Sequence, residues 1–333
     1  GFVGSHTVAK LVEDGHDVRM LVRSEKRVEP ALGPLQVDLS KVEVTEGDVT
    51  DRESVRAALC DMDAIIHAAS VFTLDKRKSN EIIATNRKGA EIVLGESCDA
   101  GLDPVVHVSS VAAILSSGEG SRVSHNSSPT SSRVGAYVDS KAQQEIIARD
   151  FQSMGCPVVI TYPGAVMGPH DPHWGDGPLL VESILDGKTR ITVEGHMPIV
   201  DVRDIASLHS SIMEPGNGPR RFMLSGTVIP LTEITSLLGR LAGRNIRTTA
   251  VPIWMVSPVV KLLDSMYRVV PFRLPVSNEG FTILKWDLSF DDSMEIDRLG
   301  IEMTDLETTM ADMVRWMHST GRISDQVAGQ LTS

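Results

Sequence analysis

A chain of 333 residues with 41% hydrophobic side chains is long enough to bury a full α/β core with a smaller lobe, and too apolar for a disordered polypeptide. Its formal net charge of -12 argues against a general nucleic-acid binder, whose footprint would be a basic face. The three cysteines, Cys60, Cys98 and Cys156, show no metal-ligand spacing and read as buried or inert thiols in a reducing compartment, which makes the cytoplasm the expected address.

The chain opens on Gly1-Phe2-Val3-Gly4-Ser5-His6 and runs directly into a predicted helix with Val8, Leu11 and Val12 as its apolar stripe, ended by Gly15-His16-Asp17. A strand is predicted over 18–22. Glycine turn, helix and strand make the second half of a dinucleotide-binding unit, in which glycines let the backbone approach a pyrophosphate and the helix N-terminus attracts it. Gly1, Phe2, Val3 and Gly4 are therefore candidate cofactor ligands. The strand that opens such a unit is not seen before Gly1, so the sequence reads as N-terminally truncated, with the first strand of the sheet missing. Just after 18–22 an NAD-binding unit places Asp or Glu; here stand Arg23, Ser24 and Lys26, with Arg27 behind them. A planar guanidinium fork and a hydroxyl suit a 2′-phosphate, so NADP(H) is expected in preference to NAD(H).

Strands at 42–45, 64–67 and 105–109 alternate with helices over 51–60 and 79–99, in the manner of a doubly wound parallel sheet. The segment 116–132 is rich in Ser, Gly and Asn and marks a loop. Because it joins Ser110 to Tyr137, it would border the substrate opening. The next helix carries Ala136-Tyr137-Val138-Asp139-Ser140-Lys141-Ala142 and continues to about 154. Positions four apart share one helical face, so the Lys141 ammonium can sit beneath the Tyr137 phenol. A free tyrosine titrates near ~10; a neighbouring cation favours phenolate and moves the group toward working pH, where it can exchange a proton with an alcohol or a carbonyl. Ser110, ending an apolar strand 27 residues earlier, can hold the same substrate oxygen.

After a strand at 157–162 the pattern changes. The stretch 169–178 is dense in helix breakers; a helix over 179–185 and a short hairpin around 189–193 are expected before 198–206 returns the chain to the nucleotide domain and 222–224 adds a late strand. The lobes are thus interleaved, with an NADP-binding domain over 1–166 and 198–227 and a substrate-binding lobe over 167–197 and 228–333. His170, Asp171, His173 and Asp176 invite a metal site, but their proline-broken loop offers no i, i+4 pairing to aim two imidazoles at one ion, so no metal is expected. The apolar stretch 251–272 contains Pro258, Lys261, Asp264 and Arg268 and is not suited to span a bilayer. Its stripe of Val256, Val260, Leu263 and Tyr267 predicts a wall over the substrate cleft, with a partner surface or monotopic membrane contact as the alternative. A final helix containing Trp316 is read as packing.

Taken together, these residues resemble the extended short-chain dehydrogenase/reductase family, especially its dihydroflavonol reductase and 3β-hydroxysteroid dehydrogenase branch, over nearly the whole chain. Gly1 and Gly4 match the last two glycines of the family's turn, Asp48 and Val49 its adenine-contacting pair, and His67-Ala68-Ala69 the segment beside the ribose. Ser110, Tyr137 and Lys141 match the catalytic set. Asn86 stands where the family carries a helix asparagine that supports the active site and its water. Tyr162-Pro163-Gly164-Ala165-Val166 matches the stretch beside the nicotinamide, although the family often has Arg where this chain has Tyr162. The resemblance implies a Rossmann fold with a smaller C-terminal lobe, and catalytic roles for Ser110, Tyr137, Lys141 and Asn86. It also implies cofactor contacts from Asp48, Val49, Ala68, Ala69, Ser70, Ser109, Tyr137, Lys141, Tyr162, Pro163, Gly164 and Val166. The implied substrate is a small-molecule ketone or alcohol, and the helices over 79–99 and 137–154 resemble those that pair in family homodimers.

Competing chemistries are ranked by what is missing. Nucleotide-sugar dehydratases of the family carry acidic residues after the catalytic Ser or Thr, where this chain has Val111-Ala112-Ala113, so elimination is disfavoured. A nucleotide-sugar epimerase stands as an alternative, against which Arg23 and the few basic residues between Gly168 and Ile191 count. A noncatalytic NADP(H)-binding redox sensor is a second alternative, although such relatives typically lose the tyrosine or lysine that this chain keeps.

Overall fold

The computed structural model describes residues 1–332 apart from 72–78, 116–119, 132–134, 253, 257–282 and 285–287, and among these leaves the side chains at 79, 80 and 293–295 aside. Helix α1 (Phe2–Glu13) buries Val8 and Leu11 and ends where Gly15 takes a φ of 89°. Strands β1 (Val18–Val22) and β2 (Val42–Glu46) pair in parallel, Val18 opposite Val42, with α2 (Val28–Leu32) between them. Helix α3 (Arg52–Leu59) is started by Asp51, whose carboxylate accepts the Ser54 N–H at 3.2 Å, and it leads to β3 (Ile65–His67). There follow α4 (Ser79–Asp99), β4 (Val105–Val108), β5 (Arg122–Ser124), α5 (Ala136–Ser153), β6 (Val158–Pro163) and β7 (Ala165–Met167). The chain continues through α6 (Asp176–Leu185), β8 (Ile191–Val193), β9 (His196–Asp201), α7 (Val202–Ser211), β10 (Arg220–Leu224), β11 (Thr227–Pro230), α8 (Leu231–Leu241) and β12 (Thr249–Val251). Last come β13 (Ser289–Asp291), α9 (Ser293–Leu299) and α10 (Leu306–Ser319).

A four-stranded parallel sheet in the order β10-β6-β4-β3 forms the centre. Successive residues of a strand point to opposite faces, so its two sides are packed by alternate residues. Val105, Val158, Ile160, Tyr162 and Met223 meet Ile92, Val93, Leu94 and Ala148 of α4 and α5 on one side. Val106, Val159, Phe222 and Leu224 meet Ile205, Leu208 and Ile212 on the other. Helices thus cover both faces of a parallel sheet in a Rossmann-like α/β fold. A further apolar cluster joins Met167, Val181 and Leu185 to Leu237, Leu238, Met310, Met313 and Trp316, where Trp174 stacks on Trp316 at 4.5 Å between ring centroids.

Two expectations require correction. Residues 189–193 do not form a hairpin: β8 pairs in parallel with β12, Ile191 opposite Thr249, a partner 58 positions away that local turn signals do not encode. Cys98 and Cys156 are not separate thiols. They form a disulfide with Cα atoms 5.7 Å apart, because the end of α4 and the turn into β6 lie side by side; Cys60 alone is free and exposed. The ground on which a cytoplasmic address was expected is thereby removed. Most of 251–272 lies outside the described residues; among the described residues no helix is long and apolar enough to cross a membrane.

Candidate active site

The start of α1 presents an anion-binding surface. Gly1 caps the helix without a side-chain bond and the first turn carries no acidic residue, so no side chain of the helix itself neutralises the positive end of its dipole. A Cβ on Gly4 would meet only the Ala68 methyl at 4.0 Å. This open cradle, bounded by Gly1, Phe2, Val3, Gly4 and the chain leaving β3, fits a dinucleotide pyrophosphate. Ala69 and Ser70 beside it are exposed.

Arg23 and Lys26 are exposed, and Ser24 is half-buried in extended backbone at the start of a short turn. Asp48 Oδ1 accepts the Thr50 N–H at 2.8 Å and its hydroxyl at 2.7 Å; these bonds, joined by the more distant Arg23 charge, hold its carboxyl below the ordinary value. Val49 packs where a Cβ on Gly89 would crowd it at 3.2 Å, which seats α4 against this corner.

Ser110 and Lys141 stand at the carboxyl end of β4, with Tyr137 one turn from Lys141 on α5 and Asn86 bonded to the same helix. Ser110 is buried, in extended backbone, and its Oγ accepts the Ala112 N–H at 3.2 Å, which caps a short turn over Val111–Ile114. Ala112, Leu115 and Val138 form an apolar cluster against which the half-buried Tyr137 ring packs, so Tyr137 and Ser110 flank the same patch. Lys141, one turn along α5, is buried and donates from Nζ to the Val108 carbonyl at 3.3 Å, at the last residue of β4. Burial pulls its ammonium down to about 8, against the charge of Glu145, which acts to raise it. Asn86 is a clamp: its Oδ1 accepts the Val71 N–H at 2.7 Å, and its Nδ2 donates to the Val71 carbonyl at 2.9 Å and to Ser140 Oγ at 3.0 Å. It thus pins the chain beyond β3 to the helix that holds Tyr137 and Lys141.

The stretch 162–166 divides. Tyr162 is completely buried, and its hydroxyl donates to Glu145 Oε1 at 2.7 Å, so the phenol is turned into the core beneath α5. Pro163 ends β6, and Val166 packs toward the α7 face. A Cβ on Gly164 would lie 2.2 Å from the Ser225 carbonyl oxygen, so only glycine lets these two segments approach. Ser109 is likewise committed, its hydroxyl donating to Glu145 Oε2 at 2.9 Å.

Sequence reasoning did not find Glu145, nor the stacked pair His67 and His107, whose ring centroids lie 5.6 Å apart next to Lys141. The signal for Glu145 was present, since it stands four residues after Lys141 and eight after Tyr137, on the same helical face. No such signal existed for the histidines, which become neighbours because β3 and β4 pair with His67 opposite His107. Asp171 of the His-Asp loop spends its carboxylate on the N–H groups of His173 and Gly175, at 2.9 and 2.8 Å. Among the described residues no three His, Cys, Asp or Glu side chains are grouped to hold a metal ion.

A glycine cradle at a helix start and a Ser, Tyr and Lys grouped at a strand end define the class of nicotinamide-dependent enzymes on a Rossmann sheet. The chain belongs to the NAD dependent epimerase/dehydratase family, whose model matches residues 1–224. It is 25% identical over 331 residues to a Synechocystis sp. protein provisionally named dihydroflavonol 4-reductase, covering 98% of this chain and 94% of its relative. It is 27% identical over 329 residues to sterol demethylase protein B of Methylococcus capsulatus, covering 97% of each. Among solved structures, the crystal structure of gox2253 superposes with a TM-score of 0.81 at 24% identity, with 97% of both chains covered. The chain is therefore an enzyme of a superfamily of nicotinamide-dependent reductases, dehydratases and epimerases, with oxidoreductase character supported by its reductase-named relatives.

Proposed function

We propose that the protein is an NADP(H)-dependent oxidoreductase that interconverts a ketone or aldehyde and the corresponding alcohol on a bulky, mostly apolar small molecule. The observation that carries this reading is the seat of Lys141: a buried ammonium tied to the end of β4, one helical turn from Tyr137 and beside the capped Ser110. Val111, Ala112 and Ala113 are buried and apolar, which leaves elimination chemistry without a second acid or base at that position. The names of the relatives, one for a flavonoid reductase and one for sterol chemistry, support a substrate with a hydrophobic body. The exposed cations Arg23 and Lys26 support a 2′-phosphate and hence NADP(H) over NAD(H).

In this reading Gly1 to Gly4 and Ala68 hold the pyrophosphate and adjoining ribose, and Arg23 and Ser24 hold the 2′-phosphate. The bound nicotinamide supplies or accepts the hydride. Ser110 Oγ, which already accepts from the Ala112 N–H, donates a hydrogen bond to the substrate oxygen and orients it while keeping its own proton. Tyr137 transfers its phenolic proton to that oxygen in reduction and takes it back in oxidation. Lys141 favours the phenolate and would hold the ribose of a bound nicotinamide, and Asn86 keeps α5 registered against the chain after β3. A homodimer through the outer faces of α4 and α5, where Ile146 is 48% exposed, is part of the same proposal.

The test is NADPH consumption over a panel of bulky ketones, with NADH and Tyr137→Phe in parallel. Wild-type turnover should prefer NADPH, and Tyr137→Phe should lose about 10²–10⁴-fold in kcat while binding NADPH nearly as well. Full turnover in Tyr137→Phe would refute the assignment. Proven cofactor binding with no ketone reduced would move the reading to the epimerase or the redox sensor.

A further inference from the structure

A buried acid that the mechanism above does not use lies under the reacting groups. Glu145 is 0% exposed on α5, on the helical face that carries Tyr137 and Lys141. Its carboxylate accepts from Ser109 Oγ at 2.9 Å, from the Tyr162 hydroxyl at 2.7 Å and from Arg149 Nε at 2.6 Å. Arg149 continues to the Ser127 carbonyl at 2.8 Å, beyond β5. Ser109 immediately precedes Ser110, and its N–H is fixed to the Thr161 carbonyl at 2.9 Å. One carboxylate therefore joins the end of β4, strand β6 and helix α5, the three elements that set Ser110 against Tyr137 and Lys141.

Among the described residues, the charged and titratable groups around Lys141 are Tyr137, Glu145 and Arg149 on α5, His67 on β3, His107 on β4 and Tyr162 on β6, and Glu145 is the carboxylate whose charge acts on Lys141. Burial, with the Lys141 charge added, holds His67 at about 4 and His107 well below the ordinary value, so both imidazoles are neutral. Burial drives Lys141 toward its uncharged form, and Glu145 opposes it. A buried cation without a compensating anion deprotonates rather than staying charged.

We propose that Glu145 is a positioning residue of this site: it braces the Ser109–Ser110 strand end against α5 and keeps the ammonium of Lys141 charged beneath Tyr137. Its catalytic consequence rests on the oxidoreductase reading; its effect on Lys141 does not.

Two measurements on the full chain separate the two. Lysine ¹³Cε NMR follows the titration of Lys141 directly, and kcat against pH follows its effect on turnover. Glu145→Gln should lower the Lys141 midpoint by about one pH unit and carry the alkaline limb of kcat down with it, about a ten-fold loss one unit above the new midpoint, with KM for NADPH moved less than about two-fold. Tyr162→Phe removes one bond to the carboxylate but no charge, and should leave the midpoint within about 0.3 unit. Arg149→Met, which removes the cation competing for Glu145, should raise the midpoint, and it carries the test if Glu145→Gln does not fold. An unmoved midpoint in Glu145→Gln, or in Arg149→Met, would overturn the proposal, as would an equal shift in Tyr162→Phe. A midpoint that moves as expected in a protein that reduces no ketone would uphold the positioning role and refute the oxidoreductase reading.

Discussion

The two faces of the central sheet are both packed by apolar side chains and differ in how their buried polar groups are satisfied. Under α7, Val106, Val159, Phe222 and Leu224 pack against Ile205, Leu208 and Ile212, and the polar members satisfy one another, His209 taking Thr7 Oγ1 at 2.8 Å and Thr161 Oγ1 at 3.2 Å on its two ring nitrogens. Under α5 the same strands carry His67, His107, Ser109 and Tyr162 toward Lys141 and Glu145, and buried ring nitrogens of both His67 and His107 have no hydrogen-bond partner among the described residues. Buried polar groups are normally paired, and exceptions mark places where something other than stability has set the residue. Both faces bury apolar side chains that hold the fold together, and the α5 face in addition bears the groups proposed for chemistry.

Three experiments would break or sharpen that contrast. Lys141→Met should have the largest effect: removing the cation beneath Tyr137 should lower kcat about 10³-fold, equivalent to ~4 kcal/mol on the barrier, in the NADPH oxidation assay. Because an apolar chain replaces a buried charge, the same variant should unfold at an unchanged or higher denaturant concentration. A large loss of stability would show that the buried ammonium itself contributes to the fold.

Phe222→Ala on the opposite face should do the reverse. Deleting a buried ring there should destabilise by about 3–4 kcal/mol in urea unfolding, while kcat of the folded fraction and its pH profile stay as in the wild type. A shifted pH profile would mean that the two faces are coupled.

Acidification should act on both faces. His209 and His67 are each held at about 4 by burial, below the ~6.5 of an unfolded histidine, so the unfolded chain binds more protons between those values. Stability is therefore fully present above pH ~6.5 and declines as pH falls toward 4, with each group withdrawing roughly 2 kcal/mol between pH 7 and 5. Unfolding free energies from urea titrations at the two pH values check this, and His209→Gln should flatten the dependence. An unaltered slope in that variant would remove His209 as a source.

Much of the candidate site is legible in the amino-acid sequence, and for a common reason. The glycine turn entering α1, the strand ending at Ser110 and the four-residue spacing of Tyr137 and Lys141 depend on backbone geometry over a few residues, which the chain carries locally. Helix and strand periodicity likewise locates the alternation of elements, because parallel strands covered on both sides must be apolar throughout. Glu145 lies within reach of the same periodicity, but its role is visible only through the partners it meets.

The sequence by itself therefore determined the class of fold and nominated the residues proposed for the site, because these follow from spacing along one chain. Which groups surround those residues was decided by strand order. Ser109, Tyr162 and Glu145 converge because β4 lies between β3 and β6, and His67 faces His107 by register. Cys98 reaches Cys156 across 58 residues, and β8 finds β12 rather than a hairpin partner. Such contacts arise from packing and backbone pairing between distant segments, and burial then sets the charge state of Lys141 and the histidines, which only a folded interior can do.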